Sequence, residues 1–510
     1  MFQRKNIQAI TRLSPMQRGI LFHVLKEDNP SVYFEQVLFE LKGKADPSGL
    51  RRSWDYLVKS HDALRTVIVH QKVKEPVQII LKEHHSAFRY EDLSDMEPSD
   101  RDDWIRRFKE EERNQRYDLA RDALVRLTLL QTGDNTYQML FSFHHILMDG
   151  WCVGLLINQL LKVYLADQKR EKPSLSVSAP YQTFIEYLDR KDEEESLRFW
   201  RNQLADLQVM PFLPKRPDRV ESSYDRRRHP VRFSSEETLS VTELAKKLGV
   251  TVSNLVHGVW GVLLQRYLNS EDVLFGSVVS GRPSDLPGVE QMIGLFINTI
   301  PVRVNTKKGE TFSQLVKRIQ EVSISSQAHH HISPADLQAQ ITEARFDHIV
   351  AFENYPLDDS ILDNPELRFQ LIPKDSFEQT NYDLVLQFQL KEELQLWITY
   401  NHSVIDSNWI QLISGHFQSV LQAILRDPDT AIEQLEILTA GEQSLLKHFN
   451  DTRASYPKDA TLVSLFEEQA ARQGERVAVK RGERVLTYRE LNEEANRLAH
   501  ALRERGLARE

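Results

Sequence analysis

One change of period constrains this chain more than any other feature. From Gln138 to His145 (QMLFSFHH) an apolar run alternates with polar residues toward its end, as a strand does. From Trp151 the spacing becomes helical, with Val153, Leu156, Ile157, Leu160, Leu161 and Tyr164 on one face. Strand, short loop and helix therefore meet over residues 144 to 151, and a chain built around such a junction is mixed α/β. No segment repeats at a fixed period and no tract is of low complexity, which sets solenoids and propellers aside.

Other elements are legible around the junction. Leu13 to Leu25 has helical spacing after Ser14-Pro15, where serine caps and proline fits the first turn. A second amphipathic helix covers Gly49 to Ser60, and Val67-Ile68-Val69 reads as a strand. The proline-punctuated, basic stretch from Leu213 to Pro230 reads as a bridge between two halves. Beyond it the pattern predicts a helix over Val252–Leu268, a strand over Val273–Ser280, an apolar segment at Ile293–Val304, strands within Phe369–Tyr400 and a helix around Trp409–Leu425. From Arg426 to about residue 460 the chain turns polar and irregular, the best linker candidate.

A length of 510 residues predicts about three domains, or two large ones. The 65 lysines and arginines against 74 aspartates and glutamates give a formal charge of −9, which argues against a general nucleic-acid binder but leaves room for local basic patches. The single cysteine, Cys152, excludes an intrachain disulfide and a multi-cysteine metal site, and suits a reducing cytosol. Met1 to Lys5 leads into no apolar signal-like region, and no run approaches the roughly 18 apolar residues of a membrane span. A cytoplasmic location without membrane contact is the expectation.

The junction carries His144-His145-Ile146-Leu147-Met148-Asp149-Gly150-Trp151. Histidine suits proton transfer near neutral pH, and a strand end holds its backbone in place. Neighbours on a strand face opposite sides, so one of the two histidines points into the core. Asp149 is either a functional carboxylate or the N-cap of the helix it precedes. Two histidines and a carboxylate are also potential metal ligands, but adjacent histidines diverge and no second ligand cluster of familiar spacing accompanies them, so no metal is expected. His84-His85 and His329-His330-His331 lie in polar stretches and read as surface. Cys152 reads as a small core residue at a helix start.

The motif does not stand alone. LSPMQRGILFH at Leu13–His23, SHDALRTV at Ser60–Val67, HHILMDGWC at His144–Cys152, APYQTFIEYL at Ala179–Leu188, IGLFINTIPVRV at Ile293–Val304, FDHIVAFENYP at Phe346–Pro356 and TNYDL at Thr380–Leu384 follow one another in the order seen in condensation domains of non-ribosomal peptide synthetases. Over about residues 10 to 430 the chain resembles that family. Past the linker, Leu486-Thr487-Tyr488-Arg489-Glu490-Leu491 resembles the opening of an adenylation domain.

The resemblance implies two chloramphenicol-acetyltransferase-like lobes in a V-shaped pseudo-dimer with a central tunnel. The lobes are placed at residues 1–180 and 181–430, with a linker at 431–460 and a truncated adenylation start at 461–510. It implies peptide-bond formation, the amine of one carrier-bound aminoacyl thioester attacking an upstream carrier-bound peptidyl thioester. His145 is then catalytic, while His144, Asp149, Gly150 and Arg65 support the motif, with Asp149 paired to Arg65. Trp151, Ser280, Gly281, Arg282, Asn298 and Tyr382 are the substrate-channel candidates. The domain binds no cofactor of its own; its substrates hang from the 4'-phosphopantetheine of donor and acceptor carrier proteins, and its downstream partner is the adenylation domain.

LSPMQ…LFH, HHILMDGW and VVSGRP together look most like the subtype that takes a D-terminal donor and an L-acceptor. Met1 to Thr11 is either a docking element for a separate upstream synthetase or simply a boundary where the piece was cut. Lys215 to Arg228 is either a carrier-docking patch or a solvated bridge. An epimerisation domain and a CoA-dependent acyltransferase share the fold, but the adenylation start favours condensation, as the paired histidines do over heterocyclisation.

Overall fold

In the computed structural model, which describes residues 4–27, 29–175, 179–208, 212–217, 224–353 and 364–507, the alternating run ahead of the histidines is a strand, Thr136–His144, and the helix after them spans Gly150–Lys169. The chain divides into two units, Met1–Thr439 and Ala440–Glu510. The strands of the first unit, in chain order, are β1 (Ile7–Arg12), β2 (Phe34–Gly43), β3 (Thr66–Val69), β4 (Val77–Leu81), β5 (Ala87–Asp92), β6 (Val125–Gly133), β7 (Thr136–His144), β8 (Arg226–Arg232), β9 (Asp272–Val279), β10 (Asn298–Asn305), β11 (His348–Phe352), β12 (Phe369–Glu378), β13 (Leu384–Leu390) and β14 (Leu394–Asn401). Its helices are α1 (Pro15–Lys26), α2 (Pro47–Ser60), α3 (Pro98–Asn114), α4 (Gly150–Lys169), α5 (Tyr181–Leu188), α6 (Glu193–Gln203), α7 (Ser235–Leu248), α8 (Val252–Leu268), α9 (Phe312–Ser326), α10 (Pro334–Gln340) and α11 (Ser407–Arg426).

Two mixed sheets organise two lobes. The first runs β12-β2-β7-β6-β5 and the second β10-β9-β11-β13-β14-β8, with a small β1-β4-β3 sheet beside the first. In the first lobe the buried faces of α1, α2 and α4 close over the inward side chains of β2, β6 and β7, among them Phe39, Leu129 and Phe141. In the second, α8 is buried along most of its length against β9, β13, β14 and α11. Among the described residues no single helix is long and apolar enough to cross a membrane.

The lobes are not two consecutive halves. Strand β12 comes from the second half of the sequence, yet it pairs antiparallel with β2, from Phe369 opposite Gly43 to Glu378 opposite Glu35. Ile293, Leu295, Leu367, Phe369 and Leu371 likewise join the first lobe's core. The assignment of all of residues 181–430 to the C-terminal lobe is therefore corrected. An edge strand has unpaired backbone groups, and here β12 satisfies those of β2 with chain drawn from the other lobe.

Two irregular stretches are ordered. Arg226 to Arg232, placed largely in the bridge, form β8 at the edge of the second sheet, paired with β14; of the basic stretch, residues 218–223 lie outside the described residues, as do 354–356 of the FDHIVAFENYP segment. The linker placed at residue 431 begins later, because Ile432 and Leu435 are each 5% exposed in the second lobe's core and Ile432 N–H donates to Glu310 O at 2.9 Å. The second unit consists of α12 (Ala440–Phe449), α13 (Leu462–Gln473), the hairpin β15 (Val477–Arg481) and β16 (Arg484–Thr487), and α14 (Tyr488–Glu504).

Fully burying an isoleucine or leucine contributes about 1.5–3 kcal/mol. A chain ended after Thr439 is therefore expected to keep the first unit's urea stability, whereas one ended after residue 430 loses about 3–6 kcal/mol; equal stabilities would show that these side chains do not belong to the core.

Candidate active site in the first unit

The loop carrying the histidines is held by α1 on one side and by Tyr33 on another. The Ser14–Gln17 capping box starts α1, and the Gln17 side chain reaches on to donate from Nε2 to Ile146 O at 3.0 Å. His145 N–H donates to Tyr33 O at 2.8 Å, and Tyr33 N–H donates to Gln379 O at 2.8 Å, so one residue links the loop to the end of β12. Tyr33 sits at φ 59°, a left-handed conformation that costs a non-glycine residue roughly 1–2 kcal/mol. The burial of its ring and the bond from its hydroxyl to Asn381 Oδ1 at 2.8 Å oppose that cost.

The histidines diverge, as strand geometry requires. His144 turns to the core, where its Nδ1 accepts from Ile146 N–H at 3.1 Å and its ring meets Tyr117 edge-on. Burial, and then the neighbouring charge of His145, pull its pKa down to about 3. His145 lies in a cavity wall. Its Nδ1 is 3.0 Å from Met148 O and its Nε2 is 2.9 Å from Glu35 Oε1. A carbonyl and a carboxylate can only accept, so both ring nitrogens donate and the ring is an imidazolium. Burial alone would strip that proton; the charge and hydrogen bond of Glu35, helped by Glu378 and Asp149, outweigh it and hold the pKa up to about 10.

Asp149 takes the N-cap place, one of its two readings, and makes a second structural contact besides. It caps α4, its Oδ1 accepting from Cys152 N–H at 3.3 Å, while its Oδ2 accepts from Phe296 N–H at 3.0 Å. The expected pairing with Arg65 is wrong. Arg282 Nη2 lies 3.3 Å from Asp149 Oδ1, and that pair is almost fully buried. Arg65 ion-pairs with Asp62 at 2.6 Å and donates to the carbonyls of Val58 and Leu81, which ties the end of α2 to β4. Arg65 is the position that the resemblance implies; the tertiary fold brings Arg282 to Asp149 instead and keeps Arg65 on Asp62. Cys152 is a buried core residue whose thiol is pushed up by burial and by Asp149.

Two cavities meet beside the motif. One of about 730 Å³ and one of about 280 Å³ share Met16, Val279, Ser280, Arg282 and Ile297 in their walls. The smaller is lined by His145, Asp149, Gly150, Trp151, Ser280, Arg282 and Tyr382; the larger includes Ser280, Gly281, Arg282 and Asn298. Several of these side chains are committed elsewhere. The Arg282 guanidinium lies over Phe296 and Trp151, and Trp151 Nε1 donates to Glu290 O at 3.0 Å. Asn298 Nδ2 donates to His330 O and Ile332 O, both at 2.6 Å, which holds the lobe's backbone. Gly281 has φ 60°, and a Cβ there would strike Phe296 O. His329 and His330, read as surface, are half-buried, His329 stacked on Phe199 and His330 bonded to Ser326.

Sequence reasoning missed three carboxylates. Glu35 and Glu378 are cross-strand partners, and both lie beside His145. Glu353 also lines the smaller cavity, where the Gln387 amide donates to both Glu353 Oε1 and Glu378 Oε2, at 3.3 and 2.9 Å. Burial and the charges of Glu35 and Glu353 raise the pKa of Glu378 against His145 and Arg226. Glu35 could have been noticed as a charged residue at a strand position next to apolar Phe34, and Glu378 lies two residues before the TNYDL segment. One oxygen each of Glu35 and Glu378 and one ring nitrogen of His145 lie within 4.8 Å of one another, a donor set of the kind that holds a cation. It is not the set of two histidines and Asp149 that the sequence brought into consideration for a metal.

The family model described as "Condensation domain" matches residues 7–447, and one described as "AMP-binding enzyme" matches residues 466–510. A component of the linear gramicidin synthase of Brevibacillus parabrevis is 39% identical over 513 residues, covering 99% of this chain and 10% of its own length. Gramicidin S synthase 2 of Brevibacillus brevis is 35% identical, over 100% of this chain and 12% of its own. The chain thus spans about a tenth of these relatives. Among solved structures, the holo form of AB3403, a four-domain non-ribosomal peptide synthetase bound to AMP and glycine, matches with a TM-score of 0.72 at 21% identity, over 99% of this chain and 39% of that one. The first condensation domain of the calcium-dependent antibiotic synthetase, in complex with a substrate analogue, gives 0.70 at 18%, over 85% and 100%.

Removing one member of a buried pair costs about 3–5 kcal/mol. Asp149→Asn and Arg282→Met should each destabilise on that scale. In double-mutant cycles Asp149 should couple to Arg282 and add with Arg65 within about 0.5 kcal/mol; coupling to Arg65 instead would restore the original pairing.

The buried histidines also set a pH profile. His144 at about 3 and His257, His330 and His331 at about 4 stay neutral in the folded chain while the unfolded chain takes up protons below about 6.5, so stability falls as pH drops from there toward 4. His145 acts oppositely: its contribution is complete below about 6.5 and is lost as pH rises toward 10. Calorimetric melts of the first unit should therefore peak near neutrality, and His145→Gln should flatten the alkaline side.

Proposed function

Because this chain belongs to the condensation-domain family of non-ribosomal peptide synthesis, amide-forming acyltransferases found in antibiotic synthetases, and carries the start of an AMP-binding enzyme behind it, we propose that it joins two carrier-tethered thioesters. The free amine of an aminoacyl group on an acceptor carrier protein attacks the thioester carbonyl of a peptidyl group on an upstream donor carrier protein. Both acyl groups are held through 4'-phosphopantetheine arms, and the acceptor carrier and adenylation domain belong to the same module. LSPMQ…LFH, HHILMDGW and VVSGRP support a donor ending in a D-residue.

The observation that carries this reading is His145, fixed by Met148 O and Glu35 in the wall of the smaller of two adjoining cavities. A thioester is already activated, so much of the rate comes from bringing two tethered partners into line. As the amine adds, negative charge builds on the carbonyl oxygen. A desolvated imidazolium whose Nε2–H can turn from Glu35 to that oxygen stabilises it. Glu35 keeps the ring charged. His144, Asp149, Gly150 and Arg282 act by shaping the loop, and Trp151, Ser280 and Tyr382 by lining the passage.

With two loaded carrier proteins and mass spectrometry of the carrier-bound products, the wild-type chain should yield a dipeptidyl thioester and His145→Ala, assayed below its own lowered melting temperature, should lose at least 100-fold in rate. Full activity of His145→Ala removes it from the chemistry. An epimerised thioester or consumption of a CoA ester identifies the two other reactions of this fold. A D-terminal donor should react faster than its L-epimer, and equal rates overturn the D-donor assignment.

A further inference from the structure

The proposed reaction leaves one proton without an address. An α-amino group has a pKa of about 7.7–8.0 and arrives largely as ammonium, which cannot attack. His145 cannot take its proton, since both ring nitrogens already donate. Across the ladder from Glu35, however, stands Glu378. Opposed carboxylates on neighbouring strands repel. Neither carboxylate forms an ion pair with a lysine or arginine among the described residues; Arg226 donates to the Glu378 backbone carbonyl, and its charge reaches the carboxylate only at longer range. The Glu378 carboxylate faces the smaller cavity with one oxygen fixed by Gln387, whose amide is itself oriented by the Thr399 hydroxyl at 3.0 Å. Glu353 stands on the other side of that amide.

On the reading of this cavity as the condensation site, we propose that Glu378 is a catalytic residue that receives the α-ammonium of the acceptor aminoacyl thioester and removes its first proton. Glu353 and Gln387 are positioning residues for that carboxylate. The steps balance. The ammonium gives one proton to Glu378 and becomes a neutral amine. Its lone pair forms the C–N bond to the thioester carbonyl. The zwitterionic adduct then passes a second proton from nitrogen to sulfur as the C–S bond breaks, giving amide and thiol, and Glu378 returns the first proton to solvent. The class of acceptor follows: a free primary or secondary amine that can carry positive charge, in preference to an uncharged nucleophile.

The basicity of the carboxylate suits the task. Burial, Glu35 on β2 and Glu353 after β11 raise its pKa, His145 after β7 and Arg226 on β8 lower it, and the outcome of about 8 lies close to that of the ammonium it meets.

Two measurements test this. In the first, binding to the whole chain is measured for a non-hydrolysable aminoacyl-pantetheine analogue and for its counterpart lacking the amino group. Wild type should prefer the amine by at least 10-fold and Glu378→Gln should not; equal affinities in wild type overturn the ammonium site whatever the chemistry proves to be. In the second, the condensation assay is run across pH. Glu378→Gln should lower kcat by 100-fold or more, leave the donor KM within 2-fold, and shift the ascending limb of the profile, while Glu378→Asp recovers part of the rate. A Glu378→Gln enzyme with an unchanged rate and limb overturns the proposal, as does activity that disappears with EDTA and returns with added Mg²⁺ or Zn²⁺, which would make the three-residue set a metal site. Absence of dipeptidyl product in wild type, with the binding preference intact, instead overturns the condensation reading. Should Glu378→Gln fail to fold, Gln387→Met and Glu353→Gln are read in the same binding test, where retention of the full amine preference by both counts against the site.

Discussion

Pairing of β12 with β2 is the constraint on which the rest of the first unit depends. It is a ladder of nine residue pairs, broken once by a bulge between Pro373 and Asp375, where proline has no N–H to give. Through it, chain from the second half of the sequence completes the sheet of the first lobe. Its last pair brings Glu378 opposite Glu35. One residue further on, Gln379 O receives the Tyr33 N–H, and Tyr33 O in turn receives that of His145. A shift of register by one residue would turn Glu378 away from the cavity, so the position of the side chains around His145 is fixed by a backbone ladder more than by contacts among themselves.

A second tie crosses the same boundary. Asp149 and Arg282 are buried together, and burying two charges costs several kcal/mol before their attraction offsets it. Here most of the remaining valences are filled: Asp149 also accepts from Cys152 and Phe296, and Arg282 donates from Nη1 to Val289 O and Met292 O, while its buried Nε–H has no partner. The pair is therefore held mainly by the chain's own groups, with both aspartate oxygens engaged. This separates Asp149 from His145, four positions away, since both aspartate oxygens are engaged by the chain while the imidazolium still has a face toward the cavity.

The elements whose evidence is local were readable from the sequence. The strand ending at His144, the helix starting at Gly150, Ser14 as a cap and α8 from Val252 to Leu268 are as periodicity and capping chemistry indicate. What was not readable depends on distant chain. The ion pair of Asp149 required knowing that residues 281–296 fold back against the start of α4. Arg226 to Arg232 look like a solvated basic run until β14 supplies a ladder, and Ile432 looks like linker until the second lobe's core covers it. Glu35 and Glu378 are 343 positions apart in the numbering, and neither belongs to a motif that announces chemistry. The histidine pair was visible because two scarce residues are adjacent in sequence; the carboxylates that set its charge are adjacent only in space.

That spatial arrangement bears on what the histidine can be. An imidazole awaiting a proton needs a free lone pair, and His145 has none while Met148 O and Glu35 face its two nitrogens. Removing the Glu35 charge would make a neutral ring attainable at this burial, at the expense of the positive charge that a developing oxyanion needs. On the proposed roles, the cavity separates two duties that a single histidine is often asked to perform in turn. Positive charge is kept on His145 by Glu35 on one side of the ladder. A carboxylate of raised basicity is kept on the other, with Gln387 fixing one of its oxygens. Because β2 and β12 belong to one sheet, Glu35 and Glu378 cannot drift apart without breaking the ladder.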